Sequence, residues 1–234
     1  MASSLIDLNK AAIDGNLEQL REAFEKGCKW DKKTINNVAL SGNFDCIKYL
    51  IDHKELSKEE TGEDEGDEEG GEDEEGEDEG KGKGEGKGKE RKFNYGNDWD
   101  GDSENLDYNE QEYIEDFFCG AYISLNESVT YYLAKYGNLR GLKYATENGY
   151  PLTSHTTTIA AYYGHLDCLK YAHENGGEID DYACAFATIN GHLDCLKYVH
   201  ENGGDFECFT CSIARHRGHL ECLKYALENG GEEI

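Results

Sequence analysis

Short one-sided apolar stretches alternate with glycine-rich breaks along most of the chain. Within residues 154–180, Ile159, Ala160 and Ala161 precede Gly164, and Leu166, Leu169 and Ala172 follow it. The three-residue step of the second group is typical of an amphipathic helix. Glycine at each break predicts that the preceding helix ends there, since glycine readily adopts the left-handed conformation. The pattern therefore predicts a helix, a tight glycine turn, a second helix and a loop.

The same pattern returns at a fixed step of 27 residues. Gly-His-Leu-Asp-Cys-Leu-Lys-Tyr occurs at 164–171 and at 191–198, and it recurs at 218–225 with Glu221 in place of the aspartate. Related stretches begin at Gly15, Gly42 and Gly137. A fixed period of this size marks units that bury their apolar faces only by stacking on one another. Six units are predicted, and the distance between those at Gly42 and Gly137 is no multiple of the period, which indicates an insertion.

The insertion concentrates the charge of the protein. The formal net charge is −27, and residues 59–79 carry fifteen Asp or Glu with no Lys or Arg. Such a segment cannot bury enough apolar surface to fold, so we expect it to be disordered. Three regions follow: N-terminal repeats in 1–54, a disordered Glu/Asp/Gly-rich and then Gly/Lys-rich insertion in 55–108, and C-terminal repeats in 109–234.

Residues 110–123 are predicted to form a helix that rejoins the stack after the insertion. Their apolar face comprises Tyr113, Ile114, Phe117, Phe118, Ala121 and Tyr122. Two N-terminal units are fewer than a stable array needs. One continuous array with the acidic segment as a projecting loop is therefore favoured over two small domains.

The amino-acid sequence of the turn resembles that of a known repeat family. Ala160-Ala161-Tyr162-Tyr163-Gly164-His165, followed by a leucine-containing helix that ends in Asn-Gly, resembles the ankyrin repeat, and the resemblance covers 15–54 and 124–234. That family has units of about 33 residues that open with Thr-Pro-Leu-His. The shorter unit implies an all-α, ankyrin-like helix-turn-helix solenoid without long β-hairpin fingers, interrupted by the disordered acidic loop. The sequence motif Cys-Leu-Lys-Tyr-x-His-Glu-Asn-Gly is also similar to motifs in the ankyrin proteins of giant DNA viruses of amoebae.

One register varies while the turn glycine and the second-helix Leu and Lys stay constant. It lies at the end of the first helix, where a constant scaffold with changing residues is typical of a binding surface. Tolerant surface positions are the alternative explanation. The partner-binding candidates are Lys135, Tyr136, Tyr162, Tyr163, Ile189, Asn190, His216 and Arg217.

Cysteine and histidine patterns do not favour a metal site. Cys46, Cys168, Cys195 and Cys222 recur at one register, and stacked helices about 8–10 Å apart are too distant for disulfides. They are predicted to be small buried side chains. His165, His192 and His219 recur likewise, and the family resemblance implies that they bond to turn backbones.

Two other metal-like patterns fall short. A zinc knuckle is only approached by the spacing of Cys208, Cys211, His216 and Cys222. The stretch 98–109 has Ser103 and Asn109 at the sixth and twelfth positions, where a calcium loop needs Gly and Glu. No nucleophile and base converge at a recognisable spacing. We expect no metal, no cofactor and no enzymatic activity.

A non-catalytic adaptor that binds an unidentified host or viral protein is the leading functional hypothesis. The alternative is a chaperone or decoy in which residues 59–79 bind basic proteins, such as histone-like or nucleic-acid-binding proteins. No basic footprint predicts direct nucleic-acid binding, and no apolar run is long enough to span a membrane. The N-terminus lacks a basic segment and a long apolar core, so a cytoplasmic or nuclear location is expected.

Overall fold

Paired helices make up the ordered part of the chain. The computed structural model describes residues 7–54, 123–206 and 209–232, and these belong to one compact unit. The first members of the pairs are α1 (Leu8–Ile13), α3 (Lys32–Ser41), α5 (Leu125–Lys135), α7 (Ser154–Tyr162), α9 (Ala183–Ile189) and α11 (Thr210–His216). The second members are α2 (Leu17–Glu25), α4 (Phe44–Asp52), α6 (Leu139–Glu147), α8 (Leu166–Glu174), α10 (Leu193–Glu201) and α12 (Leu220–Glu228).

These pairs are numbered here as units 1 to 6. Each first helix contacts the first helices of the neighbouring units, and each second helix contacts the neighbouring second helices, so the array has two layers. No β-strand occurs in the described ranges. The all-α solenoid without β-hairpin fingers is therefore confirmed.

Glycine ends the helices at the predicted places. Gly164 has φ +75° after α7, and Gly176 has φ +105° after α8. Both are in the left-handed region, where a side chain is strained. At the other end of α7, Thr153 occupies the N-cap position and Ser154 is the first residue of the helix.

The two layers differ in burial. Every residue of α9 is buried, because neighbouring first helices, its own second helix and the connecting loops surround it. The second helices bury a narrow stripe only, which in α8 comprises Cys168, Leu169 and Ala172. Leu166, predicted to lie on this stripe, is only half-buried.

Unit 3 packs directly on unit 2, although the insertion separates them in sequence. The Tyr136 hydroxyl donates to Asn36 Oδ1 at 2.8 Å, and the Arg140 guanidinium carbon lies 3.6 Å from the centre of the Phe44 ring. No helix pair stands between α3 and α5 among the described residues. The insertion and the predicted helix in 110–123 lie, except for Ile123, outside the described residues.

Candidate functional site: the turn edge

The six turns between paired helices line up along one edge of the array. We call this surface the turn edge, and it comprises residues 13–16, 40–43, 135–138, 162–165, 189–192 and 216–219. Each turn closes on a glycine with positive φ, from +61° at Gly15 to +75° at Gly164. Between units 1 and 2 and along units 3 to 6, a side chain of one turn bonds to the backbone of the preceding turn.

Histidines make these links in the C-terminal units. His165 Nε2 lies 3.1 Å from the Lys135 carbonyl oxygen, and His219 Nε2 lies 3.1 Å from the Ile189 carbonyl oxygen. His192 bonds to the backbone of Tyr162. The expectation that these histidines bond to turn backbones is thus confirmed.

Asparagine makes the corresponding link between units 1 and 2. Asn43 Nδ2 donates to the Gly15 carbonyl oxygen at 2.9 Å. Its Oδ1 also accepts from the backbone N–H groups of Asp45 and Cys46, so the residue caps α4 as well. The histidines at this register make no side-chain cap bond on their own helices.

Turn glycines allow the histidine rings to approach. A methyl group built on Gly164 would lie 2.5 Å from His192 Nδ1, and one on Gly191 would lie 2.5 Å from His219 Nδ1. At Gly137 the corresponding distance to His165 Nδ1 is 2.6 Å. Such contacts are far too short for a real carbon atom, so only glycine fits beneath each ring.

Burial depresses the basicity of two of these rings. The pKa of His165 lies below its ordinary value of 6.5, chiefly because the half-buried ring is desolvated. Burial also lowers the pKa of His192, and the rings of His165 and His219 on either side lower it further. Loss of solvent disfavours the charged imidazolium form.

The predicted partner-binding residues divide by exposure. Lys135, Tyr162 and Ile189 are 7%, 4% and 3% exposed, so they offer a partner little surface. Tyr136 and Tyr163 are half-buried, and the exposed members of the set are Asn190, His216 and Arg217.

An aromatic cluster joins units 3 and 4 on this edge. The Lys135 ammonium lies 5.6 Å from the centres of both the Tyr136 and Tyr163 rings. Tyr162 packs edge-on against Tyr163 at 4.9 Å and against Phe186 at 6.1 Å between ring centres. The structure therefore brings the lysine and the tyrosines together, with Tyr162 inside the packing.

Two residues missing from the sequence prediction occupy the same register in units 1 and 2. Ile13 and Leu40 are each 50% exposed, the highest values for large apolar side chains in the described residues other than Leu220. The signal was present in the sequence, because both residues precede a turn glycine by two positions, as Lys135 and Tyr162 do.

The sequence patterns that resemble metal-binding motifs do not form a metal site in the described residues. No group of three His, Cys, Asp or Glu side chains there is placed to hold an ion. Cys208 of the zinc-like pattern and the calcium-like stretch near residue 100 lie outside the described residues. Burial raises the pKa of the Cys168 and Cys195 thiols to about 12, as expected of structural cysteines.

The comparisons with known proteins agree with this architecture. Residues 158–200, which run from α7 into α10, match the family model described as ankyrin repeats (many copies). The match supports an ankyrin repeat protein. Ankyrin repeats generally mediate protein–protein interaction and are typically non-catalytic. The chain has no significant match among curated proteins, and no helix in the described part is long and apolar enough to cross a membrane.

Proposed function

We propose that the chain is a non-catalytic adaptor that binds a protein partner through the turn edge. The observation that carries the proposal is the pair Ile13 and Leu40, two half-exposed apolar side chains at one register of adjacent units. Stacked helices are about 8–10 Å apart, so the two side chains can contact one partner segment. No cofactor, metal ion or nucleic acid is required by this function.

Further along the edge the same surface becomes aromatic and then polar. Tyr136 and Tyr163 keep part of their surface accessible, and Asn190 and Arg217 are exposed. Tyrosine and arginine are enriched in protein interfaces. The lysine and ring contacts inside the cluster hold the tyrosines in place, which lowers the entropy lost on binding.

Partner capture by the full chain tests this function. The interface variant carries Ile13→Ser, Leu40→Ser and Arg217→Ser, all at exposed positions; Asn190 is left in place because its Nδ2 donates to the Tyr162 carbonyl oxygen at 2.9 Å. The matched control is Leu227→Ser, which removes a 39% exposed leucine of α12, outside the turn edge. We expect the interface variant to lose the partners that the wild type and the control retain, while its circular dichroism and melting temperature stay near those of the control.

Capture with residues 57–107 deleted separates the adaptor from the acidic-tract alternative. If residues 59–79 bind basic proteins instead, the deletion loses every partner and the interface variant keeps them. Binding of that kind also weakens steeply with salt. That combination of results would overturn the adaptor proposal.

The identity of the partner belongs to the same proposal. The repeat motif is similar in sequence to motifs in the ankyrin proteins of giant DNA viruses of amoebae, and this similarity supports a host or viral protein as the partner. A cytoplasmic or nuclear site of action is part of this hypothesis. Mass spectrometry of the proteins captured by the wild type and lost by the interface variant would identify the partner.

A further inference from the structure

The histidines of the turn edge hold the same backbone positions that form the proposed interface register. The carbonyl groups that they contact belong to Lys135, Tyr162 and Ile189. Each is the register residue of the preceding unit. A change in these contacts therefore changes how the turns of units 3 to 6 stand relative to one another.

Geometry assigns one protonation state to the rings. A carbonyl oxygen only accepts hydrogen bonds, so Nε2 of His165 and of His219 carries the proton and donates it. In the neutral ring Nδ1 is then unprotonated. It faces the α-carbon of the turn glycine in the preceding unit, since a methyl group there would overlap it.

A second proton would have to go to Nδ1, where the surroundings do not suit it. The histidine side chains accept no capping hydrogen bond from the first backbone N–H groups of α8, α10 and α12. The ring packs on an aliphatic carbon and is partly withdrawn from water. An imidazolium N–H without an acceptor in such a place is costly.

We propose that His165 and His192 form an acid-sensitive lock on the turn edge. The neutral rings hold the turns of units 3 to 5 together, and protonation of the two rings loosens these junctions. The junction between units 1 and 2 is joined by Asn43, which does not titrate, so it stays closed. The lock concerns the stability of the array and stands whether or not the turn edge binds a partner.

The charged groups around the rings do not reverse this expectation. His192 is faced by His165 from unit 4 and by His219 from unit 6, and both oppose a positive charge on it. The backbone of Lys135 faces His165 from unit 3, and this bond opposes the effect of burial without overcoming it. The other ionisable groups on the adjoining turns and helix starts are the Lys135 ammonium, Tyr136, Arg140, Tyr162, Tyr163, Asp167, Asp194, His216, Arg217 and Glu221.

The direction of the pH effect follows from linkage. A base whose pKa is lower in the folded state stabilises the fold above its ordinary pKa, and that stability is lost as the pH falls. The ordinary value for these rings is 6.5. The junctions of units 3 to 5 should therefore weaken as the pH drops below about 6.5.

Amide hydrogen exchange of the full chain tests the lock at about pH 7.5 and about pH 5, with rates corrected for intrinsic exchange. The variant called the column variant is H165N/H192N, in which each of the two rings is replaced by the residue that the chain itself uses at Asn43. The control is H173N/H200N, which removes the rings that contact the Tyr198 and Tyr225 hydroxyls at 3.0 Å on the second-helix layer.

Wild type and control should lose protection in the turns at 135–138, 162–165 and 189–192 at the lower pH, while 13–16 and 40–43 keep theirs. The column variant should show no such selective loss. A uniform loss over all the turns, or an undiminished selective loss in the column variant, overturns the lock. Should the column variant fail to fold, NMR titration of the wild-type His192 ring decides: a pKa at or above 6.5 contradicts the proposal, and one below 6.5 supports it.

Discussion

At the scale of single residues, two glycine registers look alike in sequence and differ in their surroundings. Gly164 and Gly176 both have positive φ, so any side chain at either position is strained. Only Gly164 lies beneath a histidine ring, whereas a methyl group on Gly176 meets nothing within 4 Å. The first glycine thus serves both the turn and the junction with the next unit, and the second serves the turn alone.

Gly164→Ala should therefore be more destabilising than Gly176→Ala. Both changes cost about 1–2 kcal/mol for a left-handed alanine, and Gly164→Ala must also displace the His192 ring. Urea unfolding of the two variants compares them, with Gly176→Ala as the matched control. Equal losses would show that the ring contact contributes nothing to stability.

Leu196→Ala should be far more damaging than its neighbour Lys197→Ala. Leu196 is 0% exposed in a central unit, and a truncation of this kind costs about 2–5 kcal/mol. Lys197 is half-buried, and its ammonium lies 5.7 Å from the centre of the Tyr225 ring. A cation–π contact at a half-buried site of this kind contributes about 0.5–2 kcal/mol.

Denaturant melts of the two variants measure this difference. A loss for Lys197→Ala as large as that for Leu196→Ala would mean that the ring contact, rather than the core, holds this unit. Lys197→Met is a useful third variant because it keeps the aliphatic stem and removes only the charge.

At the scale of elements, the two helix layers reach stability in different ways. The central first helices α5, α7 and α9 are buried nearly all round, so their hydroxyl groups need partners, and Thr130 Oγ1 donates to the Pro151 carbonyl oxygen at 2.7 Å. Thr158 Oγ1 similarly donates to Asp180 Oδ2 at 2.7 Å. These bonds attach the connecting loops to the first helices. Second helices are one-sided, and their ends depend on local capping.

Asn138→Ala should destabilise the protein by about 1 kcal/mol, as is usual for loss of an N-cap. The Asn138 side chain accepts from the Gly141 N–H at 2.8 Å at the start of α6. Asn138→Asp keeps an acceptor in the same place and should stay close to the wild type. Thermal unfolding of both variants checks the expectation, and an equal loss for Asp and Ala would show that the cap bond is not the cause.

At the scale of the whole molecule, cations of one unit lie over tyrosines of the next along the second-helix layer. All five junctions carry such a pair, and each cation is 5.3–5.7 Å from the ring centre. The pairs are Arg21 with Tyr49, Lys48 with Tyr144, Lys143 with Tyr171, Lys170 with Tyr198 and Lys197 with Tyr225. The series passes from unit 2 to unit 3 without a break, so the junction across the insertion is built like the others.

Deleting residues 57–107 should therefore change the melting temperature by only a few degrees. The contacts of Tyr136 with Asn36 and of Arg140 with Phe44 join units 2 and 3 without help from the deleted segment. A shorter loop also closes at little entropic cost. A large fall in the melting temperature would show that the segment packs on the array.

A matched substitution checks the junction itself. Arg140→Ala removes the contact with Phe44 and should weaken the junction between units 2 and 3 in both the full and the shortened chain. Exchange of the amides in α3 and α5 would report this directly. No change there would mean that apolar packing alone joins the two units.

The sequence by itself determined the repeated unit. The 27-residue period, the apolar steps of three residues and the turn glycines are local features, and each acts within one helix pair. They were enough to predict paired helices, left-handed glycine turns and buried cysteines such as Cys168. The structural role of His165 was correctly predicted through the family resemblance, because His165 belongs to the turn sequence on which that resemblance rests.

Only the tertiary structure decided which register residues are exposed and how the units are joined. Lys135 and Tyr162 share a register with Leu40, yet the first two are buried beneath neighbouring aromatic rings and the third is not. The direct packing of unit 3 on unit 2 likewise depends on residues about a hundred positions apart, such as Asn36 and Tyr136. Periodicity specifies the face that a residue occupies, whereas its exposure depends on the size of side chains that the neighbouring units and loops bring to it.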